Sequence, residues 1–201
     1  RTDENGQAVV ALALPPVEDP QRPLQMRAVV RVAEGSGRPV ERRVEQLMAP
    51  SSALIGIKPL FADNVAPEGS EARFNLITIG PDLKPQPMKL RWTLTRVETT
   101  YQWYQYSGSW NWEPVTSRNR VAQGEVDLAG QALEIAAPVQ WGEYELLVEG
   151  LGEAPIATSV SFYAGWYAPA DTSSTPDTLE LSLDKPAYKP GDTARLRLVP
   201  R

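Results

Sequence analysis

MKLRWTLTRVETTYQWYQYSGSWNW, residues Met88 to Trp112, is the stretch on which the fold of this chain turns. Met88, Leu90, Trp92 and Leu94 alternate with Lys89, Arg91, Thr93 and Thr95, which is the two-residue period of a half-buried antiparallel strand. Tyr101, Trp103, Tyr104 and Tyr106 follow, then the turn Ser107-Gly108-Ser109, then Trp110 and Trp112. The pattern predicts a long strand, a tight turn and a return strand that form the central ribbon of one β domain.

Composition agrees with a β architecture. The chain has 201 residues, room for one large or two ordinary domains with a real core. Nineteen prolines are incompatible with a helical protein and suit strands joined by loops. The absence of Cys and His removes thiol nucleophiles, disulfides, the usual zinc donors and any Ser-His or Cys-His pair. A net charge of −5 with no basic stripe argues against nucleic acid. No apolar run approaches the length of a membrane span, and Arg1 opens in mid-pattern without the charged and apolar regions of a signal peptide. Leu196-Arg197-Leu198-Val199 is still alternating as the chain ends, so a fragment of something longer is expected.

Outward from the ribbon, the first expected unit is residues 1–50. The turn Asn5-Gly6 feeds a strand over Gln7–Leu14, with Ala8, Val10, Leu12 and Leu14 on one face. A second strand covers Leu24–Val32, with Leu24, Met26, Ala28, Val30 and Val32 inward. After the turn Glu34–Gly37, Pro39–Met48 returns with Val40 and Val44 inward. Three strands cannot close a sandwich, so this unit reads as the C-terminal half of a β domain.

The second unit, 53–166, reads as a complete sandwich of about seven strands. The strand candidates are Ala53–Phe61, Ala72–Ile79, the ribbon, Arg120–Leu128 with a bulge at Gln123-Gly124, Gln131–Ala136, Tyr144–Val148 and Ala157–Trp166. Ala62–Glu71 and Gly80–Pro87 read as loops. Residues 167–178 are polar, carry prolines and lack periodicity, and so form a linker. Residues 179–201 supply the first strands of a further domain, with Leu196 and Leu198 in its core.

The sites that composition leaves open are few. Acidic residues at Asp3-Glu4, Glu68/Glu71 and Asp171/Asp177 lack the spacing of a calcium loop or a glycosidase carboxylate pair, and read as solvated. No catalytic, cofactor or metal site is expected. Arg42-Arg43, Arg91 and Arg96 read as isolated basic residues that protect sheet faces. The linker lacks Lys and Arg, so it offers nothing to trypsin-like enzymes and only Ala168 and Ala170 to elastase-like ones, and a plain interdomain role is preferred over that of a protease target. Trp103, Tyr104, Tyr106, Trp110 and Trp112 are the candidate contact residues. They suit cross-strand pairing and packing against a neighbouring domain, with a carbohydrate-stacking platform as the alternative.

Leu179–Leu198, LELSLDKPAYKPGDTARLRL, resembles the opening strands of a macroglobulin domain in the bacterial alpha-2-macroglobulin family. Pro190-Gly191 supplies the turn there, and Tyr188 the cap of the sandwich end. Asn5-Gly6 before Gln7–Leu14, Gly37-Arg38-Pro39-Val40, and the aromatic ribbon followed by Gly142-Glu143-Tyr144-Glu145-Leu146 are similar to the same family. The resemblance implies tandem fibronectin-III-like macroglobulin sandwiches, with the last segment associated with the bait region. It implies a non-enzymatic part in a broad-spectrum protease inhibitor that traps proteases after bait cleavage. Its partners would be proteases, reached through the parent protein, and neighbouring macroglobulin domains, with no nucleic acid or membrane contact by this fragment. Many family members bear a thioester in a Cys-x-Glu-Gln motif, which a chain without Cys cannot hold. The compartment implied is the periplasm or cell envelope, with the parent open to lipid anchoring and secretion as second choice. The alternative is an extracellular carbohydrate-binding or adhesin-type module using residues 101–112.

Overall fold

The computed structural model describes residues 3–17, 22–33, 37–49, 52–152, 155–166 and 179–200. The expected turn at Glu34–Gly37 falls almost wholly outside these residues, and the linker lies wholly outside them. The strands in chain order are β1 (Leu24–Val32), β2 (Val40–Met48), β3 (Leu54–Pro59), β4 (Val65–Pro67), β5 (Glu71–Ile79), β6 (Pro87–Tyr106), β7 (Ser109–Ala129), β8 (Leu133–Pro138), β9 (Gly142–Gly150), β10 (Ala157–Gly165), β11 (Leu179–Leu183) and β12 (Leu196–Pro200). β1 and β2 form one antiparallel ribbon, and β11 and β12 another. Between them in sequence stands the all-β sandwich, with sheet β3-β5-β8 facing sheet β4-β10-β9-β6-β7.

The alternation in the sequence becomes the sandwich core. Leu90 and Leu94 of β6, Tyr144, Leu146 and Val148 of β9, and Phe162 and Ala164 of β10 are buried. Ala72, Phe74 and Leu76 of β5 and Ile135 and Ala137 of β8 meet them from the opposite sheet. Four rings bind the sheets together. The Phe74 ring is 5.3 Å from those of Phe61 and Phe162, Phe61 is 5.2 Å from Phe162, and Tyr144 stacks on Phe162 at 5.4 Å. Edge-on and offset pairs at such distances add about 0.5–1.5 kcal/mol each beyond burial. The Tyr144 hydroxyl donates to the Gln140 carbonyl and accepts from the Gln140 amide, both at 3.0 Å. It thereby closes the corner before β9 in the manner of a tyrosine corner.

The ribbon differs from its expected form in three ways. The turn is two residues, Ser107 (φ 50°) and Gly108 (φ 80°), because Ser109 already pairs with Tyr106. Positive φ at both central positions matches the right-handed strand twist, and Gly108 accommodates it freely. Arg120–Leu128 is the continuation of the return strand rather than a separate one. The bulge is not at Gln123-Gly124: Leu94 pairs with Ala122 and Thr95 with Arg120, which leaves Val121 as the extra residue. Gly124 is needed for space instead, since a Cβ there would lie 2.8 Å from the Trp92 indole.

Two shorter elements were hidden in what reads as loop. Ala62–Asn64 makes a 3-10 turn with Asp63 and Asn64 at positive φ, and β4 then pairs in parallel with β10. Strand β3 stops at Pro59, and Phe61 turns in toward the other rings.

The flanking units behave otherwise than their patterns predict. Gln7–Leu14 forms no strand, and Val9, Val10, Leu12 and Leu14 are exposed. A strand needs a neighbouring ladder, and among the described residues none lies beside this segment. Its one ordered feature is the Asn5-Gly6 turn, in which the Asp3 carboxylate accepts from the Asn5 and Gln7 amides at 3.0 and 2.7 Å. β1 and β2 pair as predicted, but Val30, Val32, Val40 and Val44 are exposed because no second sheet covers that face among the described residues. The other face carries the ion pairs Arg27–Glu45 (2.7 Å) and Arg31–Glu41 (2.9 Å). Leu196 and Leu198 are likewise exposed rather than in a core. Several arginines expected to stand alone are paired: Arg43 with Glu41, Arg91 with Glu125 and Arg96 with Glu98.

Candidate functional site

Two features stand out from the sandwich, an aromatic arm and a junction. The arm follows from unequal strand lengths. β9 pairs with β6 only from Leu90 to Val97, whereas β6 and β7 pair on to Tyr106 and Ser109. Beyond Val97 the ribbon therefore continues as a two-stranded arm, and the nine residues Glu98–Tyr106 carry it about 30 Å at the rise of an extended strand.

Register sorts the predicted contact residues onto two faces. Trp103 is directly opposite Trp112, Gln105 opposite Trp110 and Tyr101 opposite Pro114, so these share one face. Tyr104, opposite Asn111, and Tyr106, opposite Ser109, lie on the other. The structure thus brings Trp103, Trp110 and Trp112 together and separates Tyr104 and Tyr106 from them. The Tyr101 and Trp112 rings meet edge-to-face at 5.3 Å and 82°. All five candidates remain exposed, from 37% for Trp112 to 71% for Tyr106. No charged residue occurs from Thr99 to Trp112. At the base, Arg118 pairs with Glu145 of β9, and the Thr99 and Thr116 hydroxyls lie 3.4 Å apart.

The junction was not legible in the sequence. Arg197 of β12 reaches across to the sandwich, where Nη1 is 2.6 Å from the Glu68 carboxylate. Its guanidinium carbon lies 4.4 Å from the centre of the Trp166 ring. Ser182, opposite Arg197 in the ladder, is 2% exposed. The β11-β12 ribbon therefore turns its Ser182/Arg197 face to the sandwich and leaves Leu196 and Leu198 outside. An open cleft of about 300 Å³ lies beside the pair, lined by Val65, Pro67, Glu68, Gly165, Trp166 and Asp184. Glu68 and Arg197 are separated by 129 positions, so no local pattern could have paired them.

A half-exposed ion pair contributes about 0.2–1 kcal/mol, and a guanidinium over an indole about 0.5–2 kcal/mol. Arg197→Ala is accordingly expected to loosen the β11-β12 ribbon by about 1–2 kcal/mol without unfolding the sandwich. The Glu68→Arg/Arg197→Glu exchange should recover the ionic share and not the aromatic one. A double-mutant cycle followed by amide exchange over β11 (Leu179–Leu183) measures both, and strictly additive effects would remove the coupling.

The turn between β11 and β12 is held by Asp184. The Tyr188 hydroxyl donates to Asp184 Oδ1, the Arg195 amide donates to the same oxygen at 3.0 Å, and the Lys185 amide donates to the Tyr188 oxygen at 3.2 Å. Tyr188 thus anchors the turn, and Lys185 Nζ sits 5.7 Å from its ring centre. The hydrogen bond from Tyr188, then that from the Arg195 amide, holds the Asp184 carboxyl below its ordinary range. Partial desolvation, then the bond to Asp184, raises the Tyr188 phenol. A carboxyl with a depressed folded pKa stabilises the turn above its unfolded pKa and loses that contribution as pH falls through the folded value. Protection of the Arg195 amide is therefore expected to persist through neutral pH and fail only in acid below the ordinary aspartate range. Asp184→Asn should abolish that pH dependence, as measured by amide exchange between neutral pH and strong acid.

What the fold defines is one β-sandwich flanked in sequence by two antiparallel ribbons, with an aromatic arm and an ionic junction. Comparison with known proteins places it further. The family described as Bacterial macroglobulin domain 6 matches residues 56–166, and the Bacterial Alpha-2-macroglobulin MG5 domain matches residues 1–50. The alpha-2-macroglobulin of Xylella fastidiosa (strain 9a5c) is 32% identical over 202 residues, covering 98% of this chain and 12% of its own length. The native conformation of Escherichia coli alpha-2-macroglobulin matches with a TM-score of 0.55 and 30% identity, over 90% of this chain and 12% of that one. E. coli alpha-2-macroglobulin activated by porcine elastase matches with 0.53 and 28%, over 90% of this chain and 16% of that one. The chain belongs to the bacterial alpha-2-macroglobulin family. It spans about 12% of the length of the curated relatives it matches.

Proposed function

We propose that this chain is a scaffold portion of a broad-spectrum protease inhibitor that traps proteases after its bait is cleaved. The observation that carries the reading is the match of nearly the whole chain to both a native and an elastase-activated relative. A segment that keeps its architecture in both states suits a stiff module whose position, rather than whose fold, changes. The sandwich core supplies the stiffness such a module needs. In this role the chain performs no chemistry and needs no cofactor. Residues 179–201 open the bait-associated domain, and proteases are met through the parent protein in the periplasm or cell envelope.

The test uses the full-length parent with a small panel of proteases, run on native gels beside a methylamine-treated sample. Early discrete cleavage with a mobility change is expected, and methylamine incorporation would reveal a thioester elsewhere in the parent. Slow, scattered cleavage with no change of shape would overturn the inhibitor reading. The exposure of Trp103 and Trp110 on one face favours a second reading, glycan binding by the arm. It requires a saturable tryptophan-fluorescence shift with cell-wall glycans that is lost in Trp103→Ala and Trp110→Ala.

A further inference from the structure

We propose that the aromatic arm is a wedge that seats against another macroglobulin domain of the same polypeptide, engaging it through both faces. The proposal rests on the reading of the chain as part of a long alpha-2-macroglobulin. Nothing in the sandwich requires the ribbon to run on past Val97. The four rings and the buried leucines are complete without it, and the arm contributes no residue to the core. A two-stranded ribbon with half-exposed tryptophans is a poor stand-alone structure, because an isolated hairpin is marginal in water. Exposed aromatic surface of this kind marks an interaction site.

The chemistry of the arm selects the partner. Between Arg96 and Arg118 there is no basic side chain, so anionic lipid and nucleic acid find no counter-charge. Glu98 stands at its root, opposite Ser117, and Glu113 halfway along it, opposite Gln102, so the charge the arm does carry is negative. Gln102, Gln105 and Asn111 are interleaved with the rings, and their amides need donors and acceptors when buried, which a protein surface provides and hydrocarbon does not. Tyr and Trp mixed with Ser, Gly and Asn is the composition of protein-recognition surfaces, in which rigid rings bury area at little entropic cost. The one close ring pair on the tryptophan face, Tyr101–Trp112, is edge-to-face and does not offer the flat platform a sugar stacks upon.

Two observations point to the same polypeptide. Tyr104 and Tyr106 project from one face while Trp103 and Trp110 project from the other, so full burial needs surfaces on both sides, as between packed domains. Relatives carry this segment within a chain about eight times longer, so other domains are present at high effective concentration.

The experiment places the photo-reactive residue p-benzoylphenylalanine at Trp110 and, separately, at Tyr104 in the full-length parent, followed by irradiation and peptide mapping. Crosslinks from both positions to macroglobulin domains outside residues 1–201 of the same molecule are the expected result. In a companion Tyr104→Ser/Trp110→Ser variant, amide exchange across Tyr101–Trp112 should accelerate about ten- to a hundred-fold, the loss expected for two anchoring aromatics. Crosslinks confined to a second copy, to phosphatidylethanolamine–phosphatidylglycerol vesicles or to added glycan would overturn the proposal, as would none at all. The protease gel run on the same preparations separates the two readings. A normal mobility change without crosslinks removes only the wedge, and no mobility change removes the inhibitor reading.

Discussion

Phe74→Ala is expected to destabilise the sandwich by about 3–5 kcal/mol, the range for deleting a fully buried ring. For a domain of about a hundred residues this is a fall of roughly 15–25 °C in the melting temperature. Phe74 is 1% exposed and packs edge-on at 5.3 Å against both Phe61 and Phe162. Its removal opens a cavity between the two sheets and strips a partner from each of two further rings, Phe61 and Phe162. The control is Trp110→Ala, a truncation of a larger ring that is 68% exposed in this chain. That change should stay within about 0.5 kcal/mol, as surface substitutions away from packed contacts do. Circular dichroism melts of the two variants measure the contrast. Equal shifts would mean that the four-ring cluster does not hold the sheets together.

Gly124→Val is expected to cost about 1–3 kcal/mol, the usual penalty for forcing extra atoms into a packed site. Gly124 pairs directly with Trp92, and a Cβ at that position would lie 2.8 Å from indole Cε2 and Nε1. The ring packs against the core cluster, so it cannot swing aside without disturbing Leu90 and Leu94 on its own strand. Adding Trp92→Leu to Gly124→Val should restore part of the loss, because the smaller side chain relieves the clash. Thermal melts of the two single variants and the double variant give the coupling energy. Strict additivity would show that the indole and the glycine do not share the space.

The alternating runs were legible because a half-buried strand imposes its own period. Tyr144, Leu146 and Val148, read as inward, are buried in β9. The same rule misled at Gln7–Leu14, where a similar alternation forms no strand and leaves Val10, Leu12 and Leu14, the expected inner face, exposed. Period reports which face is apolar, while a strand also needs a neighbour to complete its hydrogen bonds. Gly124 shows a similar limit. A glycine inside a strand reads as a bulge, yet its role is to receive an indole from the opposite strand, and the actual bulge falls at Val121, which carries no local signal.

For the candidate site the division is equally physical. The aromatic residues and the absence of charge from Thr99 to Trp112 can be read directly, as can the turn that folds them back. How far they stand out from the sandwich depends on where β9 begins, and that is a matter of strand pairing between distant segments. Their division into two faces requires only the period of two, so Trp103 and Tyr104 are separable from sequence alone. The junction lay beyond such reasoning, since Arg197, Glu68 and Trp166 meet only when three remote segments are packed together.

Local chemistry in this chain settles strand period, the Ser107-Gly108 turn and the β class, because each depends on residues that are neighbours in the sequence. Tertiary packing alone settles which alternating runs become strands, which apolar faces are covered, where the ribbon leaves the sheet and which arginine bridges to the sandwich. Those outcomes depend on hydrogen-bond ladders and contacts between segments far apart in sequence, and no local period encodes the identity of a partner.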